Sequence, residues 1–164
     1  MHFQGKLYRA INPLYAREPL SGRGAALYGG RFNPRGMPAL YTALSIMTVI
    51  REANQVGNLQ PTTLVCYEAD IARVFDTRDH AALAAEAADA AMLADPGWRN
   101  AMMRDGEAPS QSLARRLADQ GWHGLLVRSQ APGAGQSDLN LVLWHWGPER
   151  PHRLTVIDEE NRLR

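Results

Sequence analysis

Short apolar or β-branched runs bounded by turn residues recur along the whole chain, with helical patterns between them. This recurrence constrains the fold most, because such strands need a sheet and the helices need a face of it to cover. The expected class is α/β (α+β): a single compact domain over 1–164, with mixed or antiparallel β-sheets flanked by helices. Residues 6–11 alternate polar and apolar side chains before Asn12-Pro13 and read as a first strand, whose Arg9 is a candidate to point into a site. Residues 40–42, 61–69, 125–129, 139–146 and 153–158 read as further strands. Helices are expected over 43–56, 81–94 and 110–120, the last with Leu113, Ala114 and Leu117 as its apolar face and Gly121 as its stop. No internal repeat is visible, and no linker divides the chain.

Two segments carry the functional signal. Residues 21–36 hold five glycines and one proline, so a structured loop or short hairpin is expected, with backbone able to approach a ligand closely. In the helix over 43–56, plotted at about 100° per residue, Ala43, Leu44, Ile46, Met47, Val49, Ile50, Ala53 and Val56 surround most of the circumference. Burial on most sides is therefore expected. Ser45, Thr48, Glu52 and Gln55 remain as one polar stripe, which faces either water or a cleft.

Bulk properties exclude several classes. Eighteen basic residues against seventeen acidic ones give a formal charge of +1, too little for a nucleic-acid footprint. The lone Cys66 has no disulfide partner and reads as a buried structural thiol. No window approaches the ~18 apolar residues of a membrane span, and without a signal-like start the cytoplasm is the expected compartment. The five histidines lack the paired spacing of a zinc site, so no metal is expected. Gly22-Arg23-Gly24 lacks the third glycine and the leading strand of a Rossmann fingerprint, and neither a Walker lysine nor a Gly-x-Ser-x-Gly elbow occurs. Trp98, Trp122, Trp144 and Trp146 read as core or interface.

Tyr8-Arg9-Ala10, the block from Tyr28-Gly29-Gly30-Arg31-Phe32-Asn33-Pro34 through Gly36 and Pro38 to Ala39-Leu40-Tyr41-Thr42, then Glu52, Arg128-Ser129 and Asn140 together resemble the RES domain. That family is named for an arginine, a glutamate and a serine, which the resemblance assigns to Arg31, Glu52 and Ser129. It extends from Tyr8 to Asp158. Phe32 replaces a commoner tryptophan, and Arg128 stands where proline is frequent.

The resemblance implies an ADP-ribosyltransferase-like fold and the toxin of a bacterial toxin–antitoxin pair. NAD is then a substrate whose nicotinamide–ribose bond is cleaved, with ADP-ribose passing to a cytosolic protein, or NAD degraded with water or phosphate as acceptor. The implied partner is an Xre-type antitoxin carrying the DNA-binding domain. Within that scheme Glu52 opposes the positive charge that develops on the ribose, and Arg31 anchors the pyrophosphate while Gly30 lets backbone approach. Tyr41 stacks on the nicotinamide ring. Arg9, Tyr28 and Asn33 are expected to contact ribose or adenine, with Ser129 and Asn140 adding hydrogen bonds. The competing expectation is a catalytically silent module that binds a nucleotide or protein.

Overall fold

The computed structural model describes residues 1–55 and 57–163. The chain runs through β1 (Phe3–Ile11), a 3-10 turn (Pro13–Tyr15), α1 (Arg23–Tyr28), β2 (Leu40–Ala43), α2 (Ile46–Ala53), β3 (Thr63–Ile71) and β4 (Val74–Asp76). The helices α3 (His80–Ala85), α4 (Ala90–Ala94), α5 (Trp98–Asp105) and α6 (Pro109–Asp119) follow, then β5 (Gly124–Arg128), β6 (Leu139–Leu143) and β7 (His152–Val156). All seven strands join one sheet in the order β4-β5-β6-β2-β1-β3-β7. Only the β4–β5 pair is parallel among the described residues. This is the mixed α/β class that the alternation of elements predicts.

Strand alternation then sorts side chains between two cores. Leu7, Leu40, Tyr67, Leu126, Leu141, Leu143 and Leu154 form one cluster to which no described helix contributes, so the sheet curls and closes on that face itself. On the opposite face Leu125, Val127 and Val142 pack beneath Leu83 of α3, Leu93 of α4 and Leu113, Ala114 and Leu117 of α6. Burying a leucine completely, as at Leu113 and Leu117, contributes about 1.5–3 kcal/mol.

Several expectations give way to local chemistry. The helix expected over 43–56 is shorter: β2 runs through Ala43, and Ser45 caps α2 by accepting the Thr48 amide. Val56 lies outside the described residues. The apolar side chains of α2 are not buried all round either. Ile46 is 48% and Met47 58% exposed, whereas polar Thr48 is buried beside Val49. The alanine-rich stretch over 81–94 splits into α3 and α4, because Ala87 turns left-handed (φ +56°) and the Asp89 side chain caps a new helix at the Met92 amide. The glycine-rich segment contains α1, which Gly29 (φ +73°) ends. Neither β4 nor α5 is anticipated by the sequence patterns. Cys66 is half-buried rather than buried, with desolvation raising its thiol pKa.

Candidate active site

At the edge of the helix-covered face lies a cleft of about 450 Å³, walled by the loop over 29–32, Tyr41, Glu52, Trp98, Arg99, Arg128 and Asn140. Sheet register assembles it. Tyr41 of β2 pairs with Val142 of β6, and two residues along Ala43 pairs with Asn140, itself opposite Val127. Tyr41 and Asn140 therefore project from the same face. Helix α2 crosses that face and delivers Glu52 onto them.

The carboxylate of Glu52 is held by three donors. Its Oε1 accepts from Asn140 Nδ2 at 2.6 Å and from the Ser129 hydroxyl, while Oε2 accepts from Gln55 Nε2. Ser129 Oγ in turn accepts the Ala131 amide at 3.1 Å, which aims its proton at Glu52. Of the stripe read from the sequence, Glu52 and Gln55 thus line the cleft, and Thr48 is buried rather than wet.

The opposite wall is the tight turn over 30–33, in which Gly30 N donates to Asn33 O at 3.0 Å and Asn33 N to Gly30 O at 3.3 Å. Tyr41 plugs it. Its hydroxyl donates to Asn33 Oδ1 at 2.5 Å and accepts the Phe32 amide at 3.0 Å. Burial raises the phenol pKa far above the ordinary range, so the proton stays for that bond. A Cβ at residue 30 would stand 2.3 Å from the tyrosine oxygen, and glycine there is a steric requirement. Each carbonyl of the turn has a side-chain donor: Gln111 reaches Gly30 O (2.9 Å) and Asn33 O (3.1 Å), Ser110 takes Arg31 O (2.6 Å) and Trp144 takes Phe32 O (2.9 Å).

Arg31 leaves this turn toward the end of α4, where its Nη1 donates to Asp95 O at 2.7 Å and Leu93 O at 3.3 Å, cationic donor against helix C-terminal carbonyls. Burial lowers its pKa, partly offset by the charges of Glu52 and Asp95. Two further guanidiniums face the cleft. Arg99 lies over the Trp98 ring at 4.8 Å, and neither it nor Arg128 donates a side-chain hydrogen bond to the described residues.

A family model for the RES domain matches residues 6–164. The chain belongs to the RES domain family. A protein named "Toxin Res" from Photorhabdus laumondii subsp. laumondii is 44% identical over 46 residues, a match covering 28% of this chain and 30% of that protein. In this RES domain Glu52 and Ser129 touch directly, Asn140 joins them, and Arg31, Gly30 and Tyr41 stand across the cleft.

Three expected contacts lie elsewhere. Tyr8, not Arg9, pairs with Ala43, so Arg9 points to the opposite sheet face and donates to Pro19 O (3.2 Å) and Ser21 O (3.4 Å). Tyr28 stands 74% exposed at the end of α1, outside the cleft wall. Asn33 has no exposed surface, and its amide donates to Ala25 O (2.8 Å) and Met37 O (2.9 Å), so it bears on the site through Tyr41. Conversely Trp98, read as core or interface, lines the cleft.

Sequence reasoning missed the supports of this RES site. Asp138 binds α2 to the loop after β5: Oδ1 accepts from Thr48 Oγ1 and Arg51 Nη1, each at 2.7 Å, Oδ2 accepts the Gly135 amide at 2.7 Å, and its carbonyl accepts the Ser129 amide at 2.8 Å. The Gly135 amide, then Thr48 and Arg51, hold its carboxyl below the usual carboxylate range. For Gln111 a signal was present: it lies three residues before Ala114, on the apolar face of α6.

Proposed function

We propose that this RES domain is the toxin of a bacterial toxin–antitoxin pair and that it cleaves the nicotinamide–ribose bond of NAD in the cytoplasm. The observation that carries the reading is Glu52, a carboxylate fixed by three donors inside a cleft whose other charges are guanidiniums. A dinucleotide supplies what each wall lacks. Arg31, Arg99 and Arg128 offer forked donors for its pyrophosphate. Asn140 Oδ1 is buried with no hydrogen-bond partner among the described residues, an acceptor suited to a ribose hydroxyl. The Tyr41 ring has its hydroxyl engaged in the turn and a face for the nicotinamide ring.

In the reaction the bond between ribose C1 and the pyridinium nitrogen breaks, and its electron pair neutralises nicotinamide as it leaves. Positive charge develops on the sugar, where the carboxylate of Glu52 stabilises the transition state more than the neutral sugar of the ground state. Because its donors already orient it, little reorganisation accompanies the step. An acceptor oxygen then bonds to C1 and releases its proton to solvent. The acceptor is a cytosolic protein, which becomes ADP-ribosylated, or water or phosphate, which leaves NAD degraded.

An Xre-type antitoxin holds such an enzyme inactive by filling the cleft, with an acidic or carboxylate group against the free guanidiniums. Saturating antitoxin then abolishes NAD binding, and NAD weakens antitoxin binding by the same factor. A ternary complex with unaltered NAD affinity would refute occlusion. The test of the activity is incubation of the purified chain with NAD labelled in the adenylate, with and without lysate. Nicotinamide release is expected in both, and label on protein appears only if a protein is the acceptor. Saturable NAD binding without nicotinamide release would instead establish the silent binding module.

A further inference from the structure

A second cavity, of about 340 Å³, abuts the cleft. The two share Val127, Arg128 and Gln130 as a common wall, and Ser129, whose hydroxyl holds Glu52, lines the second. Helix α4 walls the second cavity with Ala90, Leu93 and Ala94, while Pro96 of the turn that follows it and Trp98 at the start of α5 wall the cleft. Both volumes lie in the range of about 300–1,000 Å³ usual for ligand pockets.

Resting on the NAD reading above, we propose that this second cavity is the subsite for the adenosine half of the dinucleotide. Its walls suit a flat apolar ring. Ala90, Ala94, Ala131 and Ala134 line this slot with single methyl groups from α4 and from the loop after β5. Polar groups stand where a nucleoside needs them: Gln130 and the imidazole of exposed His80 line the slot, offering hydrogen bonds to a base edge or a ribose hydroxyl. The nearby arginine and threonine are already engaged, Arg78 with Asp76 (2.7 Å) and Thr77 with Leu126 O (2.9 Å), so neither competes as an anion site.

The partition between the cavities sets the direction in which the dinucleotide lies. Of these two cavities the cleft holds Glu52 and Tyr41 and the second holds neither, so the scissile bond belongs to the cleft. Arg128 belongs to both and its guanidinium carries no partner among the described residues. A pyrophosphate at Arg128 therefore leaves one nucleoside on each side of it. The nicotinamide riboside lies toward Glu52 and the adenosine lies in the alanine-walled slot.

The experiment compares NAD with nicotinamide mononucleotide, which has the same scissile bond and no adenosine. Nicotinamide release is measured for the wild-type chain and for Ala90→Trp and Ala134→Trp, which fill the slot from two different walls. The variants should raise KM for NAD by about tenfold or more, with kcat near wild type and the mononucleotide kinetics unchanged. In the wild-type chain free adenosine should inhibit NAD cleavage competitively and leave mononucleotide cleavage untouched, a result that needs no variant to fold. Unchanged KM for NAD in a folded variant, or equal inhibition of both substrates by adenosine, would overturn the subsite while leaving NAD cleavage standing. Release from neither substrate by the wild-type chain would remove the NAD reading and the subsite together.

Discussion

The two walls of the cleft are built by different means. The turn that presents Arg31 is held through its main chain, with a side-chain donor from α6 or from Trp144 on every carbonyl between residues 30 and 33. The helix that presents Glu52 is held through side chains, by hydrogen bonds on the carboxylate itself and by the Asp138 clamp below it. A wall held by backbone keeps its shape when the functional side chain is changed. A wall held by a charge network depends on the ionisation of its members. The first suits a binding group and the second a reacting one.

Breaking the reacting wall at its centre has the largest expected effect. Glu52→Gln keeps the shape and removes the charge, and kcat for nicotinamide release should fall by about 10²–10³-fold, the usual loss of one preorganised electrostatic contact. Thermal unfolding should remain cooperative. Release at the wild-type rate by the folded variant would end the assignment of Glu52. On the other wall, Gln111→Ala leaves the buried Ala108 amide without its acceptor and takes the side-chain donor from Gly30 O and Asn33 O, which keep only their backbone bonds across the turn. Stability should drop by about 3 kcal/mol, from one unsatisfied buried amide worth roughly 1–3 kcal/mol and two lost hydrogen bonds worth about 0.5–1.5 kcal/mol each, read as a shifted urea midpoint. An unshifted midpoint would mean that the turn stands without α6.

Arg31→Ala separates binding from scaffold within the same wall. The turn should survive, because its carbonyls are held from outside, and the loss should appear as weaker NAD binding by roughly 1.5–3 kcal/mol, the scale of a charge-assisted contact. Calorimetry with an unchanged dissociation constant would count against Arg31 as a phosphate anchor. The same variant removes the donor at the end of α4, so its urea midpoint reports how far that cap supports the fold.

How far the sequence speaks follows the same division. Strands announced themselves because the alternation in β1 and the short apolar runs of β5 and β6 are local patterns, and the Gly-Gly-Arg turn was legible because Gly30 is demanded by a single close approach. The polar stripe on α2 was legible too, but not whether it faced water or a cleft. That depended on Asp138, Ser129 and Asn140, more than seventy residues away. Apolar abundance misled at Ile46 and Met47, since composition counts side chains and burial depends on what covers them. Asn33 misled in the other direction: a polar residue beside a candidate anchor looked like a ligand contact, yet its amide holds the loop over 25–37 together.

The smallest expected effect, and the one that bears most directly on the contrast between the walls, concerns Asp138. Its carboxyl titrates below the ordinary carboxylate range in the folded protein, so the folded state binds the proton less readily than the unfolded one. The contribution of the clamp is therefore complete above the unfolded value of about 3.9 and is lost as pH falls toward and through the lower folded value. Asp138→Asn replaces Oδ2 or Oδ1 by a donor. One of two sets of partners, the Gly135 amide or the Thr48 and Arg51 pair, then meets a donor instead of an acceptor. Because Asp138 touches α2 and the Ser129 amide but does not line the cleft, the change should reach the chemistry only by displacing Glu52 and Ser129. A loss of about 3- to 10-fold in kcat with KM for NAD unchanged is the expected signature, since small misplacements of a reacting group are costly. Acid denaturation should also lose steepness below pH 4. If KM rises and kcat does not move, the clamp supports substrate binding, and the division between a backbone-held binding wall and a charge-held reacting wall is wrong.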